Sequence, residues 1–216
     1  MSGGEPPAAL TAGYDDVRDA LADATAQLLA TGDAIGPSDW DRPATDRWTV
    51  RELFAHLVRS VTVIGDYLNA DLPPQGPGLG DAAGYYRVAL AGADVHDGIA
   101  RRAADAAEAA GADPVTRARD GVATTLERVA VTPDEHIIVH FAGWLPFGEY
   151  LVTRLVEVVL HTLDIQLACG QPANVPASAL RIVVPLLLEL SDRADPVALA
   201  LVLTGRTTTL TCNVLG

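Results

Sequence analysis

Positive charge is scarce in this chain. Against 28 acidic residues stand 15 basic ones, all arginine, for a formal net charge of −13. This argues against DNA or RNA as a partner, and none is expected, because phosphate recognition needs clustered cations. Arginines held in place suit carboxylate ligands instead, through their planar fork of donors. Aromatic residues are equally few, at 5% against 49% apolar residues overall. The core must then be built mainly of Ala, Leu and Val, which suits close-packed helices. There are two cysteines, Cys169 and Cys212, far apart and outside any C-x-x-C pattern. They read as free thiols of a reducing compartment with no disulfide role. An inert helix-end position is the plain reading of Cys169, and a catalytic thiol is its alternative. No uninterrupted apolar run is long enough to cross a bilayer. The opening Met-Ser-Gly-Gly-Glu-Pro-Pro lacks the basic and apolar regions of a signal peptide. A cytoplasmic protein is therefore expected, with no membrane partner. No internal repeat is evident.

What is present is helical patterning. The 216 residues suffice for one core, or for one domain with an appendage. After a disordered tail over 1–13, the pattern predicts a first helix over 14–30, with Val17, Leu21, Leu28 and Leu29 facing inward and the run from Thr31 to Ser38 ending it. A loop carrying Trp40 and Trp48 leads to a second helix over 50–69. Thr49 with Glu52 three positions on forms a capping box that fixes its start. Leu53, Leu57, Ile64 and Leu68 form one apolar stripe along it, with Val61 alongside. The Gly- and Pro-rich stretch 71–80 cannot be regular structure. It reads as a surface connection or as a mobile flap. A third helix is expected in two pieces, 81–110 and 114–129, with Pro114 in the first turn of the second. His136 to Phe141 is short, apolar and β-branched, so it reads as extended. Gly143 to Gly148 turns the chain into a helix over 149–168, ended by Gly170. Beyond Pro172, a helix over 178–190 with a kink at Pro185 precedes two strands, 197–203 and 207–214, joined by a hairpin turn at 204–206. This last part is too small to stand alone. It must pack on the bundle or pair in a dimer, so the chain is expected to be a monomer or a homodimer.

Glu157 and His161 carry the chemistry. Four residues span about 6 Å of helix axis and just over one turn, so both side chains leave the same face. Their neighbours Leu155, Val156, Val158, Val159 and Leu160 are all apolar. A carboxylate and an imidazole there need a partner, because an unpaired buried charge is costly. A divalent metal is one such partner, and Arg154, three positions before Glu157, offers the alternative of an ion pair. His56 lies on or near the buried face of the second helix. It is a candidate third ligand, or a core histidine bonded to a neighbouring carbonyl. His136 and His140 form a rival H-x-x-x-H pair. In a strand, positions four apart sit about 13 Å from one another, too far to share one ion.

The segment Trp48-Thr-Val-Arg-Glu-Leu-Phe-Ala-His56, followed about a hundred residues later by Arg154-Leu-Val-Glu157-Val-Val-Leu-His161-Thr-Leu-Asp164, resembles the mycothiol-dependent maleylpyruvate isomerase family. That family belongs to the wider DinB-like metalloenzymes. The resemblance spans roughly residues 10–175. It implies a mainly α fold, a DinB-like four-helix metal-binding bundle, here over 14–172; the residues after it, 173–216, read from their own pattern as an abbreviated C-terminal α/β appendage, a helix plus a β-hairpin. Longer members carry a fuller C-terminal domain, so substrate or thiol contacts made by that part are in doubt here. It also implies a divalent metal, usually zinc, held by His56, Glu157 and His161, with mycothiol as the thiol co-substrate.

Two neutral imidazoles and one carboxylate leave such an ion positively charged and with an open position, the pattern of a catalytic site. A thiol bound there loses its proton and becomes a nucleophile. The expected chemistry is attack on a small electrophile, as cis–trans isomerisation of the maleylpyruvate type or as S-transfer. Arg154 either orients Glu157 or holds a carboxylate of an anionic substrate. Asp164 either supports His161 or bonds a polar group of the thiol. For both, a structural ion pair or helix-end contact is the alternative. Two other classes stay open: a metal-dependent hydrolase using bound water, and a non-catalytic bundle that binds a small molecule.

Overall fold

The computed structural model describes residues 12–70, 73–89, 105–108, 111, 113–140, 142–191, 201–202 and 204–206. The fold is mainly α. In chain order the elements are α1 (Tyr14–Asp33), α2 (Val50–Ala70), α3 (Ala82–Ala89), α4 (Pro114–Val131), β1 (Ile137–His140), β2 (Gly143–Pro146), α5 (Phe147–Ala168) and α6 (Ala177–Leu190). A further helical turn covers 105–108.

Four of these helices make the bundle. α5 packs between α1 and α2, and α4 closes the ring by packing on both of those from the other side. α5 is apolar round most of its circumference because α1, α2 and α6 all cover it. Its buried set includes Phe147, Leu151, Leu155, Val156, Val158, Val159 and Ile165. A helix hydrophobic all round belongs in the centre of a fold. α1 and α2 are amphipathic and bury one stripe each: Val17, Leu21 and Leu28 on α1, Leu53, Leu57, Val61 and Ile64 on α2. Leu29 and Leu68, expected inward, are only partly buried at the edge of that core. With few large side chains available, helices approach closely. A Cβ on Gly32 would stand 2.6 Å from the Phe54 ring.

Several expectations change. α1 continues through Thr31 and Gly32 to Asp33 instead of stopping at residue 30. Gly143–Pro146 forms a strand, where only a turn is expected from the sequence. It pairs antiparallel with β1 in the register Ile137↔Pro146 to His140↔Gly143. The stretch 71–80 is no flap where it is described. Leu79 N donates to Trp144 O (2.9 Å), Trp144 N donates to Pro77 O (3.0 Å), and Leu79 is buried. Gly143, at φ 144°, leaves room for this approach, since a Cβ there would meet Pro77 O at 2.3 Å. Of the strand pair expected over 197–214, residues 201–202 are helical. Arg206 N donates to Leu201 O, Gly205 N donates to Val202 O, and Gly205 has φ 70°. That is the left-handed glycine ending of a helix, and alternation alone did not separate it from a hairpin turn. The rest of 197–214 lies outside the described residues, as does most of the N-terminal tail and of the first half of the expected third helix.

α6 packs on α1, α3 and α5, so the beginning of the C-terminal part is docked on the bundle. The connection to it is pinned by Gln166, which donates to Thr31 Oγ1 (3.0 Å) and Asn174 O (2.9 Å) and accepts from Asn174 N (2.8 Å).

Candidate metal centre

The register of α2 is set at its first turn. Thr49 N donates to Glu52 Oε2 (2.8 Å) and Glu52 N donates to Thr49 Oγ1 (3.3 Å), the reciprocal capping box. Leu53 and Leu57 then turn into the core and leave His56 at the edge of the buried stripe, facing α5. From α5, Glu157 and His161 rise one turn apart toward the same point. His56 Nε2 lies 3.4 Å from Glu157 Oε2, and His161 Nε2 lies 3.7 Å from the same oxygen. The three ligand atoms fall within 4.8 Å of one another, and no other His, Cys, Asp or Glu group converges in this way among the described residues. Side-chain exposure is 16% for His56, 23% for Glu157 and 27% for His161. The cluster is thus recessed yet reachable from solvent.

These separations fit an ion. Ligands about 2.0–2.2 Å from zinc in a tetrahedral arrangement stand about 3.3 Å from each other. Distances of 3.4 and 3.7 Å are long for hydrogen bonds and close to that spacing. Two nitrogens and one oxygen, without a thiolate, form the donor set of a catalytic rather than a structural zinc site.

The surrounding groups orient the three. Asp164 Oδ2 lies 2.8 Å from His161 Nδ1. A proton on Nδ1 facing this carboxylate leaves Nε2 directed toward Glu157. Tyr86, on α3, donates to Thr153 O (3.0 Å) and reaches Glu157 Oε1 (3.4 Å), leaving Oε2 to face the histidines. Sequence reasoning missed Tyr86, because its short helix carries no periodic signal tying it to α5. Trp48 lies with its ring 4.8 Å from that of His56 and 5.8 Å from that of His161.

Electrostatics favours an ionised Glu157. Burial alone would raise its carboxyl, but the His56 hydrogen bond and the charges of Arg154 and His161 outweigh that and bring it to about 2. For His161, burial works downward, and the Asp164 hydrogen bond with the charges of Glu157 and Asp164 overcomes it, leaving the imidazole pKa raised. Burial, reinforced by Glu157, pushes the Tyr86 phenol well up, so it acts as a neutral donor.

Arg154 is only 9% exposed and forms no ion pair with Glu157. Its Nε donates to Thr153 Oγ1 (3.1 Å) and its NH2 nitrogen donates to Tyr85 OH (3.2 Å). Its guanidinium carbon lies 5.0 Å from the Tyr150 ring and 5.8 Å from the Tyr85 ring. The cation is therefore solvated by phenols and π faces rather than by a carboxylate. In so aromatic-poor a chain, Tyr67, Tyr85, Tyr86 and Tyr150, four of its five tyrosines, gather in this region. His140 packs among three of them, at 5.2–6.1 Å, and His136 against Phe147. Neither joins the cluster. Cys169 caps the end of α5, where partial burial raises its thiol, so nothing there activates it. Cys212 lies outside the described residues.

No curated protein and no solved structure matches the chain. One family model, described as the mycothiol maleylpyruvate isomerase N-terminal domain, matches residues 5–166, a span that contains Trp48, His56, Tyr86, Arg154, Glu157, His161 and Asp164. With that match over most of its length, the chain belongs to the mycothiol maleylpyruvate isomerase N-terminal domain family.

Proposed function

We propose that this protein is a metal- and mycothiol-dependent enzyme acting on a small electrophilic substrate, by cis–trans isomerisation or by S-transfer. The observation that carries the reading is the convergence of His56 Nε2, Glu157 Oε2 and His161 Nε2 within 4.8 Å, in a chain of this family. These residues would hold a divalent ion, most suitably Zn2+. When bound, the ion supplies Lewis acidity that lowers the pKa of a thiol in its open position and so provides a thiolate at neutral pH.

The chain's own residues do the rest. Glu157, kept ionised by its neighbours, contributes the negative charge of the donor set. Asp164 holds the His161 proton on Nδ1, so that Nε2 stays available. Arg154 carries a positive charge that makes no ion pair with a carboxylate among the described residues, and that charge favours an anionic substrate near the centre even though the net charge of −13 opposes its approach. The thiol nucleophile comes from the co-substrate, because Cys169 lies in a setting that raises its pKa.

Elemental analysis of the purified protein, followed by calorimetric titration with mycothiol, tests the reading. The expected result is about one divalent ion per chain and saturable thiol binding that disappears when the ion is removed. Protein free of metal and indifferent to added metal would leave a non-catalytic bundle. Metal-dependent hydrolysis without any thiol requirement would move the assignment to a hydrolase.

A further inference from the structure

Each of the three converging side chains is held from outside by a different contact. Asp164 fixes His161 through a hydrogen bond, and the Tyr86 hydroxyl stands beside Glu157 Oε1. His56 has no hydrogen-bond partner on its second ring nitrogen among the described residues. What touches it is a face: the Trp48 ring lies 4.8 Å away at an interplanar angle of 32°. The same indole meets His161 nearly edge-on, at 5.8 Å and 72°, so one side chain borders both imidazoles.

The mount of that indole is rigid. Trp48 O accepts from Ala44 N (2.9 Å) and Thr45 N (3.1 Å), and Trp48 N donates to Thr45 Oγ1 (3.2 Å). The next residue, Thr49, begins the capping box. Val50 N and Arg51 N donate to Arg42 O and Trp40 O, both at 2.9 Å. The backbone is thus tied on both sides, and only two side-chain torsions remain to be fixed by packing. Trp48 Nε1 is buried without an acceptor, a cost that a buried donor seldom carries without reason. It is consistent with a ring placed for its face rather than for its polar edge.

We propose that Trp48 is the positioning residue of His56, setting the plane of an imidazole whose second ring nitrogen has no hydrogen bond among the described residues, so that Nε2 stays in line with Glu157 and His161. The torsion about Cβ–Cγ of a histidine is soft and roughly two-fold. A ring flip would carry Nε2 away from the cluster and present carbon in its place. The indole face holds the plane of the ring by dispersion and shape, and within that plane the contact with Glu157 Oε2 keeps Nε2 inward, where His161 relies on Asp164. The inference rests on the metal reading above.

The test compares wild type with Trp48→Phe and Trp48→Leu, using cobalt(II) as the probe. Three readouts apply: binding affinity, the visible spectrum of the loaded protein, and the His56 ring-proton shifts of the metal-free protein by NMR. In the wild type, cobalt is expected to bind and quench tryptophan fluorescence, and the His56 ring protons are expected to sit upfield under the indole. Trp48→Leu should lose about tenfold or more in cobalt affinity, the range seen when outer supports of ligands are removed. It should also show an altered cobalt spectrum and His56 resonances that move downfield and broaden. Trp48→Phe, which keeps an aromatic face, should recover part of each change. Wild type that takes up no cobalt overturns this proposal together with the metal reading. Wild type that binds cobalt while Trp48→Leu matches it in affinity, spectrum and His56 shifts overturns the role of Trp48 alone. Should Trp48→Leu fold poorly, Trp48→Phe with shifts and affinity identical to wild type overturns that role equally.

Discussion

At the scale of single residues, the centre is an arrangement of charges that keep one another ionised. Asp164 and Glu157 raise the His161 pKa, so in the metal-free protein the imidazolium contributes stability that is fully present below the ordinary histidine pKa of about 6.5. That contribution is lost as pH rises through the raised folded value. An ion competes with that proton, so its affinity should climb with pH until His161 is neutral. In Asp164→Asn, an NMR titration of the metal-free protein should show the His161 pKa lowered. Metal affinity measured above about pH 8, beyond the competing proton, should fall about ten- to a hundredfold because the ring loses its orienting partner. Unchanged affinity there would reduce Asp164 to a pH modulator. Glu157 behaves oppositely. Its carboxyl sits at about 2, so the stabilisation it carries is present above the ordinary carboxyl range and is lost as pH falls toward 2. The thermal stabilities of metal-free wild type and Glu157→Gln should therefore differ at neutral pH and converge in acid. Arg154→Lys separates the two roles open to Arg154. Loss confined to anionic substrates, with metal content kept, supports a substrate-directed charge, because lysine lacks the bidentate fork. Loss of metal and of every substrate alike supports an action through Glu157.

At the scale of elements, two helices carry the three converging side chains, and small local devices set their register. The Thr49–Glu52 capping box begins α2 less than two turns before His56. Thr49→Ala should cost about 1 kcal/mol in unfolding free energy, read by denaturant titration. Replacing His136 or His140 should leave metal content unchanged, since both lie on or beside β1 and outside the cluster, whereas His161→Ala should empty it. Elemental analysis of the three variants decides this. Gly32 illustrates how closely α1 and α2 pack. A Cβ there would stand 2.6 Å from the Phe54 ring, so Gly32→Ala should destabilise by about 1–3 kcal/mol through overpacking, despite alanine's better helix propensity.

At the scale of the whole molecule, the net charge of −13 and the small number of thiols shape behaviour. Added salt screens the field that repels an anionic ligand. For such a substrate kcat/KM should rise with ionic strength, while a neutral thiol's binding should change little. The Cys169→Ala/Cys212→Ala variant should remain active with added thiol. An inactive but folded double variant would place the nucleophile on the protein. α6 covers part of α1, α3 and α5, so the bundle and the start of the C-terminal segment form one packed unit.

The helices of the bundle, their starts and the pair on α5 were legible in the chain before any folding. Capping, apolar periodicity and i,i+4 spacing are local properties, and local properties are written in consecutive residues. The same holds for the motif that places Trp48 and His56 at one point in the chain and Arg154, Glu157, His161 and Asp164 at another. What meets what was a matter for tertiary packing. The pairing of Trp144 with Pro77 and Leu79, the reach of Tyr86 from α3 to Glu157, and the enclosure of Arg154 by Tyr85 and Tyr150 all join residues far apart in sequence. No periodicity encodes such contacts. The choice between an ion pair and a phenol cage for Arg154 turned on the same point. Three positions on a helix permit an Arg–Glu contact, but the guanidinium follows whichever acceptors the packed neighbours supply, and here α3 supplies Tyr85.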